Sequence, residues 1–263
     1  MVGIGTEGNP ARRGGMRYAP CLRLTGGRSR APPRRPGRAT PGRVRAFRGG
    51  FPRAFGALRH YAPAMTTDPR RHAPATQRNR EPILEVLRTV LPQRGTVLEV
   101  ASGTGEHAVF LSAALPHLVW QPSDPDPGNR ASIEAWTADA VSVRPPLDLD
   151  AAADSWPVDA ADAVVCINMI HIAPWSACLG LMRGAARLLP PGGPLCLYGP
   201  YRRGGAHTAP GNESFDAGLR AQDPAWGVRD LEAVTEAAVA AGLRPDRVVE
   251  MPANNLTVVF RRL

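Results

Sequence analysis

From Thr76 onward the apolar residues follow two rhythms. In NREPILEVLRTVLP, Ile83, Leu84, Leu87 and Leu91 recur at helical spacing, with Pro82 tolerable in a first turn. GTVLEV reads as the first strand, and GEHAVFLSAALP as a helix with Ala108, Leu111 and Leu115 on one face. HLVWQPSD is a second strand, SIEAWTADA a short helix, and VSVRPPLDLD a third, weaker strand broken by prolines. DAVVCINMI is an unbroken apolar run, as a central parallel strand covered on both faces requires. WSACLGLMRGAARLL is a helix ending at PPGG, and PLCLYGP a fifth strand. LEAVTEAAVAAGL is a helix with Gly242 as its C-cap, and RVVEMPANNLTVVFRRL an antiparallel hairpin at the sheet edge. Strand and helix alternate, without internal repeat, so the pattern predicts a doubly wound, Rossmann-like α/β fold of seven strands with a C-terminal antiparallel hairpin.

Charge changes the picture only at the amino end. Of the 263 residues, the first 64 hold 14 arginines and one acid, Glu7, while the rest hold 18 arginines and 22 acids. The net charge of +9 therefore belongs to the first segment alone, and the folded part is acidic. That segment is rich in Arg, Gly and Pro, lacks periodicity, and is expected to be disordered. It reads as a basic RNA-binding tail, an organellar transit peptide with Ser29 as its only serine, or translated upstream DNA ahead of a start at Met65. The chain contains no lysine, which suits a GC-rich genome and favours the third reading. Residues 65–263 are then the working domain. No apolar run reaches the ~20 residues of a membrane span, and no secretory signal is present. Cys21, Cys166, Cys178 and Cys196 show no metal-ligand spacing and suit reduced thiols of a cytoplasmic protein.

The chemistry gathers at VLEVASGTGEHA. GTGEHA satisfies G-x-G-x-x-G/A, and Asp124 lies 19 residues beyond Gly105, so an NAD(P)-binding oxidoreductase is one reading. Three features favour S-adenosylmethionine (SAM). EVASGTG is similar to the acidic glycine turn of class I methyltransferases, with Ala101 in place of the first glycine. RLLPPGG resembles the turn those enzymes place before their fifth strand, and the terminal hairpin resembles theirs. SAM carries no phosphate, so a carboxylate at Glu99 costs less there than beside a pyrophosphate.

Six separated motifs, PATQRNREPIL, WQPSD, INMIHIAPW, YGPY, WGVRDLE and MPANNLTVVF, together resemble a family of uncharacterised methyltransferase-like proteins. It is a domain of unknown function, and its relatives include methyltransferase-like protein twenty-six. The resemblance runs from about His72 to Leu263 and implies a SAM-binding class I fold without supplying a substrate.

Expected cofactor contacts are Glu99, Ala101, Ser102, Gly103 and Gly105 at the turn, Asp124 on the ribose hydroxyls, Asp150 on the adenine amine, and Asn168 at the end of the fourth strand. Asp126 rivals Asp124, and Asp148 rivals Asp150. Asn168, His171, Tyr198 and Tyr201 are the candidates for catalysis. His171 stands at the mouth of the crevice and could act as a general base, though a lone histidine in MIHIAPW is more often packed. His107 either lines the site or faces solvent. The long stretch Tyr198–Asp230 is placed to cover a substrate, with Arg202, Asn212, Phe215 and Trp226 as further acceptor contacts and Arg202 and Arg203 hinting at an anion. Methyl transfer from a sulfonium needs mainly alignment and exclusion of water, so the absence of an obvious catalytic dyad fits it. The expected activity is methylation of a small-molecule acceptor. The rival is a non-catalytic SAM-binding or scaffolding protein. An acidic folded part whose fourth strand ends in INMIH argues against a nucleic-acid substrate.

Overall fold

The computed structural model describes residues 68–263. The readings of residues 1–64 and of Cys21 lie outside them. Helix α1 (Pro74–Val90) is followed by β1 (Gly95–Val100), α2 (Glu106–Ala114), β2 (Leu118–Pro122), α3 (Pro127–Thr137) and β3 (Ala163–Ile167). Then come α4 (Trp175–Leu188), β4 (Pro194–Arg203), β5 (Ala206–His207), α5 (Pro210–Gln222) and β6 (Arg229–Asp230). Helix α6 (Leu231–Ala240), β7 (Leu243–Met251) and β8 (Asn255–Arg262) complete the order. The sheet runs β2-β1-β3-β4-β8-β7, with the two-residue strands β5 and β6 attached to β4. Strands β2, β1, β3 and β4 are parallel; β8 enters antiparallel between β4 and β7.

The inward faces match the sequence periodicity. Ile83, Leu84, Leu87 and Leu91 of the first helical pattern are buried, as are Ala108, Leu111 and Leu115. They pack with Val97, Trp120, Val165 and Tyr198 on one face of the sheet. The other face holds Leu98, Val164, Cys166, Leu197, Tyr201 and Phe260 against α4 and α6. Cys166, Cys178 and Cys196 are buried free thiols, and burial pushes each thiol pKa up.

Four departures from the sequence pattern have local causes. Helix α1 starts at Pro74, so Pro82 lies inside it and cannot donate to the preceding turn. Helix α3 starts at Pro127 because Asp126 caps it, accepting from the amides of Gly128 and Asn129. The proline-broken third strand survives only as two parallel bridges beside β2, Trp120–Val143 and Ser123–Leu147. Pro145 and Pro146 have no N–H to extend the ladder. The Tyr198–Asp230 connection contains the 13-residue helix α5. In the terminal hairpin only β7 is an edge strand, since β8 is paired on both sides.

Candidate functional site

The order β2-β1-β3 means that the chain leaves β1 toward one side and returns to the other. A crevice then opens at the carboxyl ends of β1 and β3. Ala101, Gly103 and Gly105 in the turn above β1 all have positive φ, at 58°, 60° and 90°. The two glycines differ. A Cβ on Gly103 would meet nothing within 4 Å, whereas one on Gly105 would stand 2.8 Å from the Cα of Ile133 in α3. Gly103 keeps the turn open; Gly105 lets α3 pack against it.

Asp124, at the end of β2, faces the same turn. Its Oδ2 accepts from the Gly103 amide at 2.9 Å, and its Oδ1 accepts from the Asp126 amide at 3.0 Å and from Asn129 Nδ2 at 3.1 Å. Oδ2 accepts no other hydrogen bond from the described residues. Burial pushes the Asp124 carboxyl above its usual pKa, and these hydrogen bonds pull it back. Ser102 and Ser123 lace the bases of the two strands together: the Ser102 amide donates to the Ser123 carbonyl at 2.8 Å. Ser123 Oγ donates to the Glu99 carbonyl at 2.8 Å.

Glu99 is 1 % exposed and points into the sheet face, where its Oε2 accepts from the Trp120 indole at 2.8 Å. Burial lifts its pKa to about 7. The acid of the glycine turn is thus held by a tryptophan beneath the crevice and does not reach into it. Asp150 is half-buried and caps a turn, accepting from the Ala152 amide at 2.8 Å. Asp148 is exposed and pairs with Arg130 at 3.0 Å.

At the far end of the crevice Asn168 adopts φ 62°, donates its amide to the Tyr198 carbonyl and accepts from the His171 amide. The tight turn after it carries His171 beneath the mouth, not to it: the residue is 0 % exposed. Its Nδ1 accepts from the Arg229 amide at 3.4 Å, and its ring meets Tyr201 edge-on. Burial, with the Arg229 charge beside it, drops its pKa to about 3. A Cβ on Gly199 would stand 2.5 Å from its Nε2, so β4 seals the imidazole in. Tyr201 is likewise fully buried, with its hydroxyl unpaired among the described residues. Neither reaches a ligand above the sheet. Of the remaining acceptor candidates, Arg202 pairs with Asp230, Arg203 with Glu250, and Phe215 is exposed. Asn212, in the first turn of α5, and Trp226, beyond its other end, are buried, and Asn212 Nδ2 donates to the Asn254 carbonyl.

The family model described as "Protein of unknown function (DUF938)" matches residues 70–262. The chain belongs to the DUF938 family. Solved structures similar to this DUF938 chain include an O-methyltransferase family protein from Burkholderia thailandensis, with TM-score 0.62 and 18 % identity over 72 % of this chain and 57 % of that one. Human N-acetylserotonin methyltransferase in complex with SAM gives 0.62 and 15 % over 72 % and 52 %. An O-methyltransferase family 2 protein from Planctomyces limnophilus in complex with apigenin gives 0.56 and 17 % over 70 % and 62 %. At these identities the likeness shows the fold, an α/β sheet of the class I methyltransferase kind. The chain spans little more than half the length of several structures that it matches.

Two features of the DUF938 site have no clear mark in the sequence. Buried Glu106 straps the chain before α1 across the glycine turn, since its Oε2 accepts from the Ala73 amide at 2.5 Å and from Thr104 Oγ1 at 3.1 Å. Arg229 donates to the carbonyls of Ile170, Ala173 and Ala225 at 2.7–2.9 Å, which ties the α5 connection to the turn after β3. The only sequence signal for either is a charged residue inside a motif, at GTGEHA and WGVRDLE. A groove of about 530 Å³ lies on the outer surface of α2 and α3 around Val109, Ala113 and Trp136.

Proposed function

We propose that this DUF938 chain is a SAM-dependent methyltransferase acting on a small-molecule acceptor, akin to methyltransferase-like protein twenty-six. One observation carries the reading: the open Gly103 amide and the Asp124 carboxylate stand 2.9 Å apart where two adjacent parallel strands end. A nucleoside fits this cradle. Gly103 leaves space for close approach, and Oδ2 of Asp124 retains a lone pair for a ribose hydroxyl. Ala101, Ser102 and Gly105 shape the turn, and in this reading Asn168 bounds the cofactor and Asp150 reads the adenine amine. SAM bound there would supply a methyl group already activated on a sulfonium, for transfer to a nucleophilic acceptor.

The chain's own task is alignment and exclusion of water. Glu106 holds the strap over the turn, and Arg229 holds the α5 connection over the other end. Neither His171 nor His107 is a base of ordinary strength, since His171 is sealed and burial lowers the His107 pKa to about 4. The acceptor is therefore a group that attacks without a strong enzymic base, such as a thiolate, an amine or an ionised oxygen. The same lack of a base supports the second reading, a SAM- or SAH-binding protein without turnover. Titration with SAM, SAH and NAD tests the cofactor, and binding of NAD alone overturns it. A tritiated-methyl screen against small-molecule extract separates enzyme from binder.

A further inference from the structure

The strap ahead of α1, residues 70–73, is fastened to α3 and to the glycine turn by its backbone. The Arg71 amide donates to Ser132 Oγ at 2.8 Å, and Ser132 Oγ donates to the Thr104 carbonyl at 2.7 Å. The Arg71 carbonyl accepts from the Trp136 indole at 2.9 Å. With its backbone held on both sides, Arg71 lays its guanidinium against the start of α3. A Cβ on Gly128 would collide with Arg71 Nη2, so that glycine makes the room. Nη1 donates to Asn129 Oδ1 at 2.7 Å and stands 3.9 Å from Asp126 Oδ1.

Asn129 carries that contact on to the crevice, since its Nδ2 donates to Asp124 Oδ1 at 3.1 Å. A carboxamide has one accepting end and one donating end, so its neighbours decide which way round it sits. A guanidinium only donates, which turns Oδ1 toward Arg71 and Nδ2 toward Asp124. Without the guanidinium the amide is free to turn, and its oxygen would then oppose the carboxylate. The helix itself does not need Arg71: Asp126 caps α3 through the Gly128 and Asn129 amides, and the Arg71 side chain is 44 % exposed. We infer that Arg71 is a positioning residue for nucleoside binding. Acting through Asn129, it sets the Asp124 carboxylate that meets the ribose hydroxyls, so docking of the strap and binding of the ribose are coupled. The inference rests on the methyltransferase reading.

Calorimetry on the full chain with SAH and with its 2′,3′-dideoxy analogue tests the relay. Arg71→Met should weaken SAH binding about fivefold and leave the analogue within about twofold, because that ligand offers Asp124 no hydroxyl. Retained binding of the analogue also shows that the variant folds. Arg71→Lys, which restores one donor at Asn129 Oδ1, should recover most of the loss, and Asn129→Ala should reproduce it. In an Asp124→Ala background Arg71→Met should cost nothing further, since the relay then has no end. A strap that merely covers the cofactor gives another pattern, with both nucleosides weakened alike in both backgrounds. That result, or an unchanged SAH affinity in Arg71→Met, overturns the relay and leaves the methyltransferase reading in place. A wild-type protein that binds neither nucleoside overturns that reading and the relay with it.

Discussion

At the β1–β2 end of the carboxyl edge, Asp124 meets the Gly103 amide across an open turn and keeps unused acceptor capacity. At the β3–β4 end, His171 lies under Gly199 with its Nδ1 engaged by a backbone amide and its pKa held near 3. Both are titratable residues just past the end of a parallel strand, though the sequence reads Asp124 as a site residue and His171 as more often packed. The difference lies in how the backbone turns beside them. A proline and a capping aspartate turn the chain after Asp124 outward into α3. The left-handed Asn168 turns the chain that carries His171 inward, toward the core. Position at a strand's end admits a residue to the crevice; the dihedral angles of the adjoining turn decide whether the side chain arrives.

The substitutions that probe this contrast span a wide range. The largest effect is expected from Gly105→Ala, which adds a left-handed strain to a 2.8 Å clash with backbone. It should cost about 3 kcal/mol in chemical denaturation, against about 1 kcal/mol for Gly103→Ala, which faces open space. Equal losses would refute the division of labour between the two glycines. Asp124→Ala should weaken SAH binding at least tenfold by calorimetry. An unchanged affinity in a folded variant would remove Asp124 from the ribose. His171→Gln should do the reverse, lowering the melting temperature by several degrees while SAH affinity stays within about twofold. A loss of affinity without a loss of stability would return His171 to the site.

The pH dependence of stability is a weaker effect. His171 and His107, with folded pKa values of about 3 and 4, are neutral when folded. Unfolding lets them bind protons below about 6.5, so their contribution is complete above that pH and falls away in acid. Glu99, at about 7 when folded, acts oppositely: its contribution is complete below its ordinary 4.5 and is lost as pH rises toward 7. Two groups oppose one, so the melting midpoint should rise from pH 4.5 to 6.5, and Glu99→Gln should steepen that rise. A fall across this range would show that the buried carboxyl dominates. The smallest effect is expected from removing residues 1–64, which should leave the midpoint and SAH affinity as they were. A large loss of either would show that the first segment belongs to the working protein.

The hydrophobic rhythm was enough to locate the parallel strands β1 to β4, because a parallel strand covered on both faces is apolar almost throughout. It also put Asp124 and the glycine turn at one edge, since local motif and strand end coincide there. The start of α1, the loss of the proline-broken strand and helix α5 were not legible in the same way. Each is decided by a cap, a missing amide or a packing partner that periodicity does not register.

By itself, then, the sequence determined the alternation of elements, the core faces and the place of the glycine turn, all of which depend on residues near one another in the chain. Only the tertiary structure decided which polar residues face the crevice. It turned Glu99 down to Trp120 and His171 under Gly199, and it brought Asn79 and His107 together from two helices. Burial and hydrogen-bond partners depend on residues distant along the chain, so they exist only once the chain has packed.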